Sequence, residues 1–186
     1  MSTLDHKIEV YEQALQDIIG NQIQRIHYYE ILYDRPLYDA DDHHSLDYGL
    51  QFTLTNGQQI YFIWDSTYLS HHLKFEVGSI EQEFNTGSSI GVYEVSQHEE
   101  WLPFLHVPIT AARSHWSYLT TFKGWFKKGE RTYFPETIEL TFEHQKSIFI
   151  AAIEIREKGD IMGAMDHVSV FFDREVIEYY NIIGKI

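Results

Sequence analysis

Cysteine is absent from all 186 residues, which excludes disulfides, thiolate nucleophiles and cysteine-bound zinc. Proline and glycine are sparse, at 4 and 11, and never cluster with serine into a linker, so a single domain over 1–186 is expected. Positive charge is scarce as well: 14 Lys and Arg face 28 Asp and Glu, a formal net charge of −14. A field of that sign disfavours nucleic acid and anionic membrane as partners and favours a basic protein surface. No apolar run approaches the ~20 residues that span a bilayer. Asp5, Glu9, Glu12 and Asp17 interrupt the apolar residues of the N-terminal segment, so no signal peptide is predicted and a cytoplasmic location is expected. Walker A, Rossmann, kinase, H-E-x-x-H and EF-hand patterns are all missing, which removes the sequence basis for nucleotide chemistry and for the common metal sites. No cofactor is expected.

What is present is a globule. A chain with 44% hydrophobic and 16% aromatic residues differs from an acidic disordered tail, which would be poor in aromatics. The charge is unevenly placed, with 15 acidic and 4 basic residues up to Val95 and 13 and 10 after it. Leu4, Ile8, Tyr11, Leu15 and Ile18 recur at helical spacing, with Ser2 and Asp5 as a capping box and Gly20 as the stop. Strand character begins at Ile23 and breaks at Pro36. Leu50, Phe52 and Leu54, then Ile60, Phe62 and Trp64, alternate with other residues on either side of Asn56-Gly57, predicting a hairpin closed by a type I′ turn. A second hairpin is expected at TIELTFEHQKSIFIAAIEI, its run from Ile148 to Ile155 covered on both sides.

A shift of 88 residues lays the first hairpin on the second, Leu50 on Ile138, Phe52 on Leu140 and Ile60 on Ile148; a shift of 86 lays Ile23 on Ile109. The pattern fits an internal duplication of about 1–95 and 96–186, and equally two hairpins that share period-2 patterning. Ser96 and Glu99 suggest a short helix before Trp101, and Asp173 a capped C-terminal one. The expected fold is α+β: a mainly antiparallel sheet built from two similar hairpin units, an N-terminal amphipathic helix and one or two short helices.

The acidic segment carries the candidate partner surface: Glu30, Tyr33, Asp34, Tyr38, Asp39, Asp41, Asp42 and Asp47. Carboxylates along a protruding loop speed association with a basic partner, and tyrosines supply contact area at small entropic cost. Two enzymatic alternatives compete. Gly87-Ser88-Ser89-Ile90-Gly91 matches G-x-S-x-G, with Asp160 and His167 following in triad order, and would centre a hydrolase on Ser89; its flanks nonetheless read as strand rather than strand-turn-helix. The Asp/His loop 39–47, with adjacent His43 and His44, would serve a metal-dependent enzyme, although neighbours in an extended chain point to opposite sides. The basic, aromatic KGWFKKGER segment, with Lys123, Lys127, Lys128 and Arg131, reads as a solvated loop or a partner for the acidic half.

In GLQFTLTNGQQIYFIWDS, TIELTFEHQKSIFIAAIEI and GAMDHVSVFFDRE, and in its small, acidic, cysteine-free character, the chain resembles the cytosolic immunity proteins that bacteria make against toxins. The resemblance implies a non-enzymatic inhibitor that neutralises a basic partner protein, such as a toxin with nuclease activity, at a 1:1 ratio.

Overall fold

The computed structural model describes residues 3–31, 42–66, 72–83, 90–122, 128–157, 160–163 and 166–183. The predicted N-terminal helix is α1 (Thr3–Gln16), with Leu15 and then Ile18 buried completely and Gly20 in the left-handed region at φ 85°. Ser2 of the expected capping box lies outside the described residues. The chain is α+β, as its patterning implied, with its strands in antiparallel sheets.

The first sheet is formed by β1 (Ile23–Ile31), β3 (Gly49–Leu54), β4 (Gln59–Asp65), β5 (His72–Val77) and β6 (Ile90–Glu94), in the order β5-β4-β3-β1-β6. The second takes β2 (His44–Leu46), β7 (Ile109–Phe122), β8 (Lys128–Phe142), β9 (Ser147–Ala151) and β12 (Val168–Phe171), in the order β2-β12-β9-β8-β7. A small ribbon joins β10 (Ile153–Glu157) to β11 (Asp160–Gly163). Strand β2 is sequence-local to the first sheet yet pairs with β12, Leu46 opposite Val168, so it straps one sheet to the other.

Period-2 patterning sets the layers. Ile26, Tyr28, Phe52 and Phe62 from the first sheet meet Ile138, Leu140, Ile148 and Ile150 from the second in one core, which Trp101 and Phe104 enter from the connecting segment. The opposite faces are also covered: Phe149, Ala151 and Phe171 pack with Ile177 of α3 (Arg174–Tyr179), and Tyr29, Tyr61 and Ile63 pack with Ile80 of α2 (Ile80–Glu83). Strand β9 is therefore buried on both sides, but the run expected to reach Ile155 as one strand ends at Ala151, and its last residues enter the separate β10 ribbon.

Both expected hairpins form. Pairs Leu50–Phe62 and Phe52–Ile60 in the first become Ile138–Ile150 and Leu140–Ile148 in the second, the same residues advanced by 88. Ile23 opposite Leu54 and Ile109 opposite Phe142 correspond likewise, and each pair is followed by a register irregularity. The Asn56-Gly57 turn departs from type I′. Asn56 has no positive φ; the Gly57 N–H donates to the Leu54 carbonyl (2.9 Å) and Gly57 alone is left-handed, at φ 85°. That is a right-handed turn closed by a left-handed bulge residue, a solution one residue longer that asks nothing unusual of Asn56. The second hairpin turns the same way, with Gln145 at φ 62° donating its N–H to the Phe142 carbonyl.

Two further expectations are corrected. The segment after Ser96 forms successive turns instead of a helix, because the Ser96 Oγ is taken by β1, accepting the Ile26 N–H at 3.0 Å, and cannot cap. Lys128 and Arg131 belong to β8, where Arg131 lies over the Tyr118 ring at 4.3 Å, so this part of the basic segment is strand rather than loop; Lys123 and Lys127 lie outside the described residues. Strand β8 runs straight through Pro135, opposite Trp116, at a bulge where no ladder donor is required. The Asp173 cap appears as expected, accepting the Glu175 N–H at 2.8 Å.

Candidate functional site

Three of the polar clusters among the described residues gather charged or imidazole side chains beside a groove or a strand junction, each from segments distant in sequence. The first lines a groove of about 640 Å³ bounded by Glu100, Phe104, Glu139, Lys146, Phe172 and Arg174. Alternation along β8 sends Ile138 and Leu140 into the core and leaves Glu139 on the other face, 6% exposed. Its carboxylate pairs with Arg174 at the start of α3, lies 3.2 Å from His115 Nε2 and accepts from Ser147 Oγ at 3.1 Å. The His115 hydrogen bond, against the opposing effect of burial and with help from Arg174, holds this carboxyl below its ordinary range. Glu139 thus fixes a half-exposed guanidinium at the groove wall, with Lys146 nearby: an arrangement that can hold an anionic group.

The second cluster sits where β1 meets β6. Glu30 is 2% exposed and opposite Gly91; Asp47 donates its N–H to Glu30 Oε2 at 3.3 Å and accepts the Ile31 N–H at 3.1 Å. His167 Nε2 lies 3.6 Å from Asp47 Oδ1. Burial first, then the hydrogen bond and charge of Asp47, push the Glu30 carboxyl up to about 9. Glu30 is thus an interior strand residue turned toward Asp47. Asp47 too is mostly buried, turned toward its own fold.

The third cluster brings β2 against the connecting segment. Trp101 Nε1–H donates to Tyr28 Oη at 2.6 Å, and Tyr28 Oη lies 2.7 Å from His44 Nδ1, all within the interior. The His44 and His98 rings stand nearly perpendicular, centroids 4.8 Å apart, and His98 Nδ1 is 2.6 Å from Glu100 Oε2. One ligand-type atom from each of His44, His98 and Glu100 falls within 4.8 Å of the others. His43, as its neighbour's position requires, goes the other way, 2.8 Å from Asp42 and stacked on Phe171.

Of the candidate partner surface, Tyr33, Asp34, Tyr38, Asp39 and Asp41 lie outside the described residues. Asp42 is a third exposed and spends its two oxygens on His43 and the Tyr180 hydroxyl (3.1 Å). Ser89 also lies outside them, but the chain leaves its motif at Ile90 as edge strand β6, where a nucleophile elbow needs a helix. Sequence reasoning missed Glu139, Arg174, His98 and Glu100 as site residues; the one available signal was a polar residue interrupting the period of an apolar strand, as Glu139 does. No described helix is long and apolar enough to cross a membrane. No family model, curated protein or solved structure matches the chain.

Proposed function

We propose that the protein is a non-enzymatic binding protein of the cytoplasm, of the immunity or antitoxin kind, that neutralises a basic partner protein. The observation that carries this reading is the charge distribution: a net charge of −14, with 15 acidic residues against 4 basic ones up to Val95. Such a field steers a cationic partner and resists nucleic acid. Glu30, Asp42, Asp47 and Glu139 are engaged in internal pairs, while Glu76, Glu94 and Glu99 are exposed among the described residues; with Asp34, Asp39 and Asp41 these are the acidic groups this reading assigns to the encounter.

The test is association with the product of the gene adjacent to this protein's own, expected to be a basic toxin. Association should slow steeply as salt passes ~0.15 M, where screening acts over about 8 Å. An association rate indifferent to salt would refute charge-steered capture. A metal-dependent enzyme is the second reading, favoured by the convergence of His44 with His98 and Glu100.

The matching strand orders β5-β4-β3-β1 and β12-β9-β8-β7, with registers related by 86 and 88 residues, support a further reading: the two halves descend from one duplicated unit. Backbone superposition of the halves in an experimental structure tests it; strands that match in order but diverge in path would oppose it.

A further inference from the structure

We propose that His44, His98 and Glu100 form a binding site for one divalent transition-metal ion of the zinc class. Two imidazoles and a carboxylate are a donor set that zinc accepts, and zinc sites with three protein ligands keep a fourth position open. The geometry approaches what such an ion needs. The three donor atoms lie within 4.8 Å of one another, and His98 Nδ1 and Glu100 Oε2 are only 2.6 Å apart. Ligands on a tetrahedral zinc stand about 3.3 Å apart, as bonds of about 2.0–2.1 Å dictate. Those two side chains must therefore open by somewhat under ~1 Å while His44 closes in, which is a rotamer-scale adjustment on the turn that carries His98 and Glu100.

The surroundings of His44 point the same way. It is 1% exposed on the short strap β2, and its Nδ1 faces the Tyr28 hydroxyl, which also accepts from Trp101. Ligation through Nε2 requires the tautomer in which His44 Nδ1–H donates to Tyr28 Oη, and a metal-binding histidine is typically oriented by such a donation from its other nitrogen. Phe172, 5.0 Å from His44 between ring centroids, and Trp101, 4.8 Å from Phe172, supply apolar rings beside the site. Glu100 also lines the groove that holds Arg174 and Lys146, so the fourth position is available to water or to a small anion entering there. The ion would tie strap β2, which belongs to the first half by sequence, to the segment joining the halves.

The experiment uses the full chain without an affinity tag, stripped by chelator and titrated with Zn²⁺, and with Co²⁺ for its visible spectrum. One equivalent should bind, with the absorption of a four-coordinate cobalt centre. His98→Ala and Glu100→Gln, both at partly exposed turn positions, should weaken binding by about 100-fold or more, and Tyr28→Phe by about 10–100-fold. His6→Ala, at an exposed position on α1, should leave it untouched. Circular dichroism checks that each variant folds; His44→Ala is avoided because its site is in the core. Failure of the wild-type chain to take up one equivalent would overturn the proposal, and so would uptake that survives both His98→Ala and Glu100→Gln.

Discussion

Replacing Glu30 by glutamine should stabilise the protein, and by more as the pH rises. The carboxyl is 2% exposed beside Asp47, and its pKa rises from 4.5 to about 9. The folded state therefore holds a proton that the unfolded chain releases above about 4.5. The sign follows: ∂ΔG/∂pH is negative wherever the folded state binds more protons, so stability is lost between about pH 4.5 and 9 and is unaffected by this group below that window. The full slope is about 1.4 kcal/mol per pH unit, or about 3 kcal/mol accumulated by pH 7. Relaxation around the pair reduces that, and about 1–3 kcal/mol is the expected gain at neutral pH. Glutamine suits the site because its amide can donate to the Asp47 carboxylate while its oxygen accepts the Asp47 N–H. Urea midpoints of both proteins, at several values from about pH 5 to about pH 8, measure the difference directly. Glu139, whose lowered pKa costs stability only as pH falls into the acid range, cancels between them. A difference that does not change with pH, or a glutamine variant less stable throughout, would refute the buried proton.

The remaining predictions concern turns and charges. Gly57→Val should cost about 1–2 kcal/mol by equilibrium denaturation, since a β-branched residue resists the left-handed φ of 85°, and an unchanged midpoint would contradict the turn geometry. Gln145→Gly should gain about 0.5–1 kcal/mol, the relief of φ 62° exceeding the entropy that glycine adds to the unfolded chain; a loss of stability would count against it. Neutralising Asp39, Asp41 and Asp42 to asparagine should slow association with the partner several-fold. It should lower the melting temperature only slightly, through the Tyr180 contact of Asp42; unchanged association kinetics would remove this segment from the encounter surface.

What could be read from the sequence was whatever depends on near neighbours. Alternation drew β3, β4 and the last residues of β8, an apolar run marked β9 although that strand ends at Ala151, and the spacing of Ile8, Tyr11 and Leu15 placed the inward stripe of α1, because one residue in two or in 3.6 must face the core. Asp173 was recognisable as a cap for the same local reason. Ser96 looked equally like one, but a distant strand claimed its hydroxyl. Strand β2 gave no signal: three residues within an acidic run become a strand only because β12 offers an edge. The sites were the least legible. Glu30 owes its protonation to Asp47, Glu139 its ionisation to His115 and Arg174, and His44 meets His98 and Glu100 only after the chain has built the first sheet. The polar groups in these clusters look like ordinary surface residues until topology brings their partners to them.

Capture without turnover differs from enzymatic neutralisation in its stoichiometry, which a titration reads out. The product of the adjacent gene, at fixed concentration well above its dissociation constant, is titrated with this protein while its toxic activity is followed. Capture gives a linear fall to zero at one equivalent, unchanged by Ser89→Ala or His43→Ala. Complete inactivation by a small fraction of an equivalent, or its loss in either single variant that remains folded, would contradict the account and make the neutralisation enzymatic.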